Sequence, residues 1–260
     1  MEKRNNTKEI TETIELEIFR YNPEGEGDPT FSTYEIPFHE DWAVLDAINY
    51  IKNEVDGTLS YRWSCQMGVC GSCGIMINGV PKLSCAAFLK DYYPNNICVE
   101  PLSGFPVEKD LIIEMDDFIT KLTDMQPYII RKDGEDKPLD EGEYIQSPEE
   151  LAHFKQYSMC INCMLCYAAC PIYHITPTFI GPAAIALGQR YNMDSRDQGR
   201  DRRQELIASH DGIWECTFVG ECSAVCPKDV DPAAAIQRAK VSSTIDWFKD
   251  VLIPWGKKKK

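Results

Sequence analysis

Twelve cysteines, eleven of them in three compact groups, constrain this 260-residue chain more than any other feature of its sequence. The groups are Cys65, Cys70, Cys73 and Cys85; Cys160, Cys163, Cys166 and Cys170; and Cys216, Cys222 and Cys226. A disulfide scaffold in a secreted chain is one way to use so many cysteines. The start of the sequence, Met1-Glu2-Lys3-Arg4-Asn5-Asn6, has no apolar stretch behind it and the segment carries Glu2, Glu9 and Glu12. Neither a secretory signal nor an acid-poor transit peptide is expected. In a reducing compartment, clustered cysteines bind metal or do redox work.

The first group reads Cys65-Gln66-Met67-Gly68-Val69-Cys70-Gly71-Ser72-Cys73, a C-x4-C-x2-C run. This is the plant-type ferredoxin signature for a two-iron cluster. Cys85 is placed to supply the fourth thiolate. Asn78-Gly79 between β-formers predicts a tight hairpin, because both turn residues need positive φ. Folding there pairs Ile77 with Val80 and Cys73 with Ser84, which brings Cys85 beside Cys73. Gly68, Gly71 and Gly74 suit a loop that wraps a cluster closely and offers backbone N–H groups to its sulfurs. A zinc site is the alternative, but zinc favours paired C-x2–4-C units with a longer spacer.

The second group, Cys160 to Pro171, is C-x2-C-x2-C-x3-C-P, the bacterial ferredoxin run. A shift of 56 residues repeats it as Cys216, Val219, Cys222, Cys226 and Pro227, so that Val219 stands where Cys163 stood. In two-cluster ferredoxins the last cysteine of each run ligates the other cluster. That rule gives Cys160, Cys163, Cys166 and Cys226 to one cluster, suited to [4Fe–4S]. It leaves Cys170, Cys216 and Cys222 for the other. Valine has no donor atom, so the simplest outcome is [3Fe–4S]; the alternative is a cubane whose fourth iron takes water or a carboxylate such as Glu221. Cys98 is left over and reads as a buried, inert thiol.

The two halves differ in periodicity. Thr13–Tyr21 alternates like a half-buried strand, Ser32–Phe38 is its hairpin partner, and Ala43–Val55 has apolar residues at helical spacing. Short strands are expected near Ile75–Ile77, Val80–Leu83, Ile97–Glu100 and Leu111–Glu114, giving a small mixed sheet packed on a helix. From about Met115 the pattern turns helical, over Asp116–Met125, Glu149–Tyr157, Ile180–Asn192 and Pro232–Lys240. Ser147-Pro148-Glu149-Glu150 predicts a capped helix start. Lys132–Glu143 reads as a surface loop. The run Lys257–Lys260 reads as a frayed tail or a contact for anionic lipid head groups.

The formal net charge of -14 argues against nucleic-acid binding, which needs clustered Lys and Arg. The longest apolar stretch, Phe179–Leu187, is too short to cross a bilayer and contains Gly181 and Pro182. No G-x-G-x-x-G after a strand, P-loop, H-E-x-x-H or G-x-S-x-G is present. His39, His153, His174 and His210 form no catalytic pattern, and no catalytic residue is expected in this chain. Iron–sulfur clusters pass single electrons, so a two-electron substrate reaction needs a flavin or similar cofactor. With no site for one here, a flavin subunit is implied.

These residues together resemble the iron–sulfur subunit of the fumarate reductase and succinate dehydrogenase family over essentially the whole chain. The resemblance is carried by Tyr61-Arg62-Trp63-Ser64-Cys65, Cys70-Gly71-Ser72-Cys73-Gly74, Phe179-Ile180-Gly181-Pro182-Ala183, Asp194-Ser195-Arg196-Asp197 and Cys216-Thr217-Phe218-Val219-Gly220. Some family members place Asp at the position of Cys73; this chain keeps the cysteine. The segment Cys226 to Gln237 resembles the menaquinol:fumarate reductase branch, and Ile172-Tyr173-His174-Ile175 lacks the Trp common in ubiquinone-linked dehydrogenases. The resemblance implies an α+β fold: a β-grasp plant-type ferredoxin domain with [2Fe–2S] over residues 1–114, and an all-α bacterial-type ferredoxin domain with [4Fe–4S] and [3Fe–4S] over 115–260. It implies electrons passing from menaquinol at a membrane anchor through [3Fe–4S], [4Fe–4S] and [2Fe–2S] to FAD on a flavoprotein subunit, where fumarate becomes succinate. The implied partners are that flavoprotein subunit, one or two membrane-anchor subunits and menaquinone, and the implied place is the cytoplasmic face of a bacterial inner membrane, bound peripherally. By position Phe218, Gln237 and Lys240 match residues near the quinone. Lys240 then either hydrogen-bonds a quinone oxygen or is a solvated helix lysine. Succinate oxidation in the opposite direction, or service to another flavoenzyme, are the alternative functions.

Overall fold

The computed structural model describes residues 12–25, 27–132 and 137–252. Lys257–Lys260 and part of the Lys132–Glu143 segment lie outside the described residues; within the remainder of that segment Leu139–Glu141 makes a single 3-10 turn. The chain divides into two compact units, Met1–Glu114 and Met115–Lys260.

In the first unit, strand β1 (Thr13–Arg20) buries Ile14, Leu16 and Ile18 on one face and turns Glu15 and Glu17 to the other, as a period of two requires. It pairs antiparallel with β2 (Thr30–Pro37), from Thr13↔Pro37 to Arg20↔Thr30. Helix α1 (Val44–Tyr50) follows, with the Asp46 carboxylate accepting the Ala43 N–H at 2.9 Å. Beyond Tyr50 the expected single helix widens into a π-helical turn, Ile51–Val55, closed by the Asp56 N–H on the Ile51 carbonyl at 2.7 Å. Strands β3 (Gly74–Ile77) and β4 (Val80–Leu83) form a hairpin, and β5 (Ile97–Glu100) runs antiparallel to β3 and parallel to β1. The sheet order is β2-β1-β5-β3-β4. Val44, Ala47, Ile48 and Ile51 pack on Leu16, Ile18, Ile75, Ile77, Ile97 and Val99 to make one apolar core.

The strand expected over Leu111–Glu114 shrinks to β7 (Ile112–Ile113), paired with an unexpected β6 (Val107–Lys109). Asp110 sits between them at φ 47, its side chain buried and accepting from Arg20, from the Tyr21 N–H at 3.0 Å and from the Ser60 N–H at 2.8 Å. That anchored corner ends one short strand and begins the next.

The second unit is helical: α2 (Asp116–Asp124), α3 (Pro148–Phe154), α4 (Leu165–Ala168), α5 (Pro171–Ile175), α6 (Pro182–Asn192), α7 (Arg200–Ile207), α8 (Glu221–Ala224) and α9 (Pro232–Leu252). Ser147 caps α3 reciprocally: its hydroxyl accepts the Glu150 N–H at 3.2 Å, and the Glu150 carboxylate accepts the Ser147 N–H at 2.7 Å. Helix α6 is buried along most of its length and packs against α7 and α9. Among the described residues no helix is long and apolar enough to cross a membrane.

Candidate metal centres

In the first unit the loop from Cys65 to Cys73 enters the left-handed region at Gln66 (φ 57), Gly68 (φ 67) and Gly71 (φ 76). These turns aim backbone N–H groups at sulfur. Met67, Val69 and Cys70 donate to the Cys65 sulfur at 3.5, 3.3 and 3.3 Å, Ser72 donates to Cys70 at 3.4 Å, and Gly68 donates to Cys85 at 3.3 Å. The β3–β4 hairpin turns at Asn78 (φ 49) and Gly79 (φ 75), pairing Ile77 with Val80. Past the strands, the Ser84 N–H donates to the Cys73 carbonyl at 3.0 Å, and the Cys73 and Cys85 sulfurs lie 3.2 Å apart. Of the three loop glycines singled out by sequence, Gly74 instead opens β3 with no left-handed turn.

Electrostatics divide these thiols. The N–H groups of Met67, Val69 and Cys70 lower the Cys65 thiol to about 6. Burial, with Cys73 alongside, pushes Cys85 up to about 11. A site that already stabilises sulfur anions through backbone dipoles is suited to an iron–sulfur cluster, whose bridging sulfides and thiolates carry the same charge.

In the second unit the sequence repeat is also a backbone repeat. Asn162 (φ 54) and Met164 (φ 63) are matched by Phe218 (φ 62) and Gly220 (φ 91). Helices α4 and α8 begin directly after Met164 and Gly220, and corresponding bonds close them: Ala168 to Met164 at 3.1 Å and Ala224 to Gly220 at 3.2 Å. The first run thus presents Cys160 and Cys163 on a left-handed loop and Cys166 on a one-turn helix, and the second presents Cys216 and Val219 on the matching loop and Cys222 on the matching helix.

Two cavities lie against these runs. One is lined by Cys160, Cys163, Cys166 and Cys226; its other walls are apolar apart from Lys228. The other is lined by Cys170, Cys216 and Cys222, with Val219 and Glu221. The last cysteine of each run therefore faces the cavity of the other run. Most of the thiols' mutual interactions fall in the same sets: Cys160 is raised by burial and by Cys226, and Cys222, pushed up to about 11 by burial, also feels Cys170 and Cys216, while Cys166 feels Cys163, Cys160 and Cys226 but also Cys222 of the other set. Burial likewise raises Cys163 to about 11 and holds Cys166 and Cys170 above the ordinary thiol range. Such thiols stay protonated near neutral pH and become thiolates when metal replaces the proton.

Among the described residues, no three His, Cys, Asp or Glu side chains converge tightly enough to hold one metal ion. A zinc site needs four donors within about 2.0–2.3 Å of one ion. Thiolate donors are also the ligands that multi-iron cages take.

The remaining singled-out residues fall as follows. Phe218 and Val219 line the three-cysteine cavity and are each 57% exposed. Lys240 is half-buried rather than a freely solvated helix lysine: its ammonium donates to the Cys216 carbonyl at 2.7 Å. Gln237, on the same helix, has a buried amide nitrogen without a hydrogen-bond partner. Cys98 is half-buried on β5 rather than buried, and its thiol is raised by burial and by Glu100 and Glu17. Sequence reasoning passed over Lys228, although it follows directly on Cys226-Pro227. It also could not specify which backbone N–H groups point at sulfur, because any residue type provides one.

The 2Fe-2S iron-sulfur cluster binding domain matches residues 15–120, and the 4Fe-4S dicluster domain matches residues 156–230. The fumarate reductase iron-sulfur subunit of Mycobacterium tuberculosis is 56% identical over 247 residues, spanning 95% of this chain and 99% of the relative. That of Escherichia coli O6:H1 is 51% identical over 241 residues, spanning 93% and 97%. The succinate dehydrogenase iron-sulfur subunit of Coxiella burnetii is 34% identical over 226 residues, spanning 86% and 94%. A chain of the Mycobacterium smegmatis Sdh1 complex in the apo form superposes with a TM-score of 0.81 over 91% of this chain and 97% of that one, at 24% identity, and so shares the fold. With a 2Fe–2S domain and a 4Fe–4S dicluster domain on one α+β chain, and relatives matched nearly end to end, this protein belongs to the family of fumarate reductase and succinate dehydrogenase iron–sulfur subunits.

Proposed function

We propose that this chain is the electron-transfer subunit of a membrane-bound menaquinol:fumarate reductase, passing electrons from menaquinol through [3Fe–4S], [4Fe–4S] and [2Fe–2S] to FAD on a flavoprotein subunit. The observation that carries this reading is the sorting of seven cysteines into a four-thiol and a three-thiol cavity, with Cys226 and Cys170 exchanged between the runs. Cys65, Cys70, Cys73 and Cys85 hold [2Fe–2S]; Cys160, Cys163, Cys166 and Cys226 hold [4Fe–4S]; Cys170, Cys216 and Cys222 hold [3Fe–4S]. The clusters supply one-electron carriage, which a flavin converts to the two-electron reduction of fumarate. The domain boundary follows the same division, near Glu114.

The chain's own residues shape the ends of this path. The ammonium of Lys240 has donors left after bonding the Cys216 carbonyl. Its positive charge would stabilise electron density on a quinone oxygen bound beside it. Gln237 offers an unused amide donor nearby in sequence, and Phe218 an exposed ring for apolar contact. The anchor chains, the menaquinone and the cytoplasmic face of a bacterial inner membrane complete the proposal. Identities of 51–56% to fumarate reductase subunits, against 34% to a succinate dehydrogenase subunit, favour fumarate reduction over the reverse direction.

The test is EPR of the purified complex, oxidised and reduced, with iron counted per chain. The wild type is expected to give an oxidised-state three-iron signal. Val219→Cys restores the missing thiolate, so that signal should fall and iron content should rise by one atom per chain. An unchanged signal and iron content would show that Val219 does not mark the open corner.

A further inference from the structure

Helix α9 changes character along its length. Its first half buries Ala233, Ala235, Ile236 and Ala239. In its second half the polar side faces the protein: Ser243 is buried and bonds Gln204 at 2.6 Å, and Asp246 pairs with Arg200 at 2.5 Å. The apolar side faces outward, with Val241, Ile245, Phe248 and Leu252 at helical spacing and Trp247 and Val251 beside them, all 48–75% exposed. Trp247 and Phe248 pack edge to face with ring centres 5.1 Å apart. A water-facing helix shows the opposite arrangement, so this face is built for an apolar surrounding.

The sequence following this face indicates which surrounding. Within eight residues after Leu252 come Lys257, Lys258, Lys259 and Lys260, in a chain whose net charge is -14. A tetralysine run next to an aromatic-bearing apolar helix face matches the anionic interface of a bilayer, where Trp, Phe and aliphatic residues sit at the acyl boundary and lysines lie among head groups. We propose that the last three turns of α9 lie in the interface of an anionic phospholipid bilayer, giving this subunit a lipid contact of its own, separate from the anchor chains. The proposal rests on the reading of the chain as a peripheral membrane subunit.

Two measurements test it. In the first, the full cluster-loaded chain, without anchor chains, is sedimented with vesicles of phosphatidylcholine alone or mixed with phosphatidylglycerol. Salt-sensitive binding to the mixed vesicles is expected. Replacing Lys257–Lys260 by Gln should weaken that binding on the order of a thousandfold at low salt, and Trp247→Ser with Phe248→Ser by about tenfold or more. No binding, or equal binding by all variants, overturns the proposal. In the second, the assembled complex is placed in vesicles of brominated lipid, and the emission of Trp247 is taken as the difference from Trp247→Phe. Quenching is expected. If Trp247 is unquenched in a complex that holds its anchors and oxidises menaquinol, protein covers this face; the proposal then fails while the functional reading stands. Lipid quenching and vesicle binding by a chain that never co-purifies with anchors would support the lipid contact and remove the functional reading.

Discussion

Gly181 and Asp194 show how single positions hold the helical unit together. Gly181 sits at φ 97, and a Cβ there would lie 2.1 Å from the Tyr167 ring. That ring is fully buried, its hydroxyl donates to the Ile180 carbonyl at 2.8 Å, and Phe118 and Tyr173 meet it edge-on. With neither the ring nor the backbone free to yield, Gly181→Ala should destabilise the chain by about 3 kcal/mol, read as a lower denaturant midpoint. Asp194 is a buried carboxylate bonded by Arg190 and Arg196 at 2.8 Å. Burial opposes its ionisation, but hydrogen bonds from Arg196 and the charges of both arginines prevail and hold the carboxyl at about 2. The folded value lies below the ordinary 3.8, so the stabilisation is present above about pH 4 and is lost as pH falls toward 2. Asp194→Asn should therefore be less stable near neutral pH, and its gap to wild type should narrow between pH 4 and pH 2. Urea midpoints compared between the two proteins test this, since acid loss of iron is common to both and cancels.

At the scale of elements, some were legible because local chemistry decides them. The Ser147–Glu150 box starts α3 as its sequence demands, and Ser147→Ala should cost about 1 kcal/mol, measurable as a shift in thermal midpoint. The Asn78-Gly79 hairpin follows from two left-handed residues. Helix α7 was not legible. Its sequence, Arg200 to Ile207, has no apolar stripe, and the largest side chain it buries, beside Ile207, is Arg203. Arg203 pairs with the buried Asp197 and donates to the carbonyls of Gln126 and Tyr128, partners 75–77 residues away that no local pattern reveals. The expected helix Pro232–Lys240 runs on to Leu252, because the apolar residues beyond Lys240 point outward and so do not read as a core stripe.

Considered as a whole, the chain places its two units in different dependence on iron. The first has a continuous core under its sheet that includes no cysteine of the candidate cluster. In the second, Cys160 and Cys226 pack against the core around Tyr157, and α4 and α8 are single turns, far shorter than a helix that stands alone. On the ligation proposed above, iron-bound thiolates would tie these turns together, and metal binding would contribute to folding there. Stripping the iron with a chelator under reducing conditions should remove a larger fraction of the helical signal than of the sheet signal in far-ultraviolet circular dichroism. Amide exchange should quicken around Cys160–Cys170 and Cys216–Cys226 while Leu16, Ile77 and Val99 stay protected. Equal loss of protection in both units would show that the first unit also needs its metal to fold.

The sequence alone determined the number and grouping of thiol donors, the repeat that leaves Val219 without one, the hairpin that returns Cys85 to Cys73, and the order of a sheet unit and a helical unit. These are spacing properties, and spacing along a chain is preserved on folding. Only the tertiary structure decided which backbone N–H groups reach the sulfurs, that Lys240 bonds the Cys216 carbonyl, that α7 buries an arginine beside Ile207, and that α9 turns its apolar face outward. Those depend on burial and direction, which arise when distant segments meet and cannot be read from neighbours in sequence.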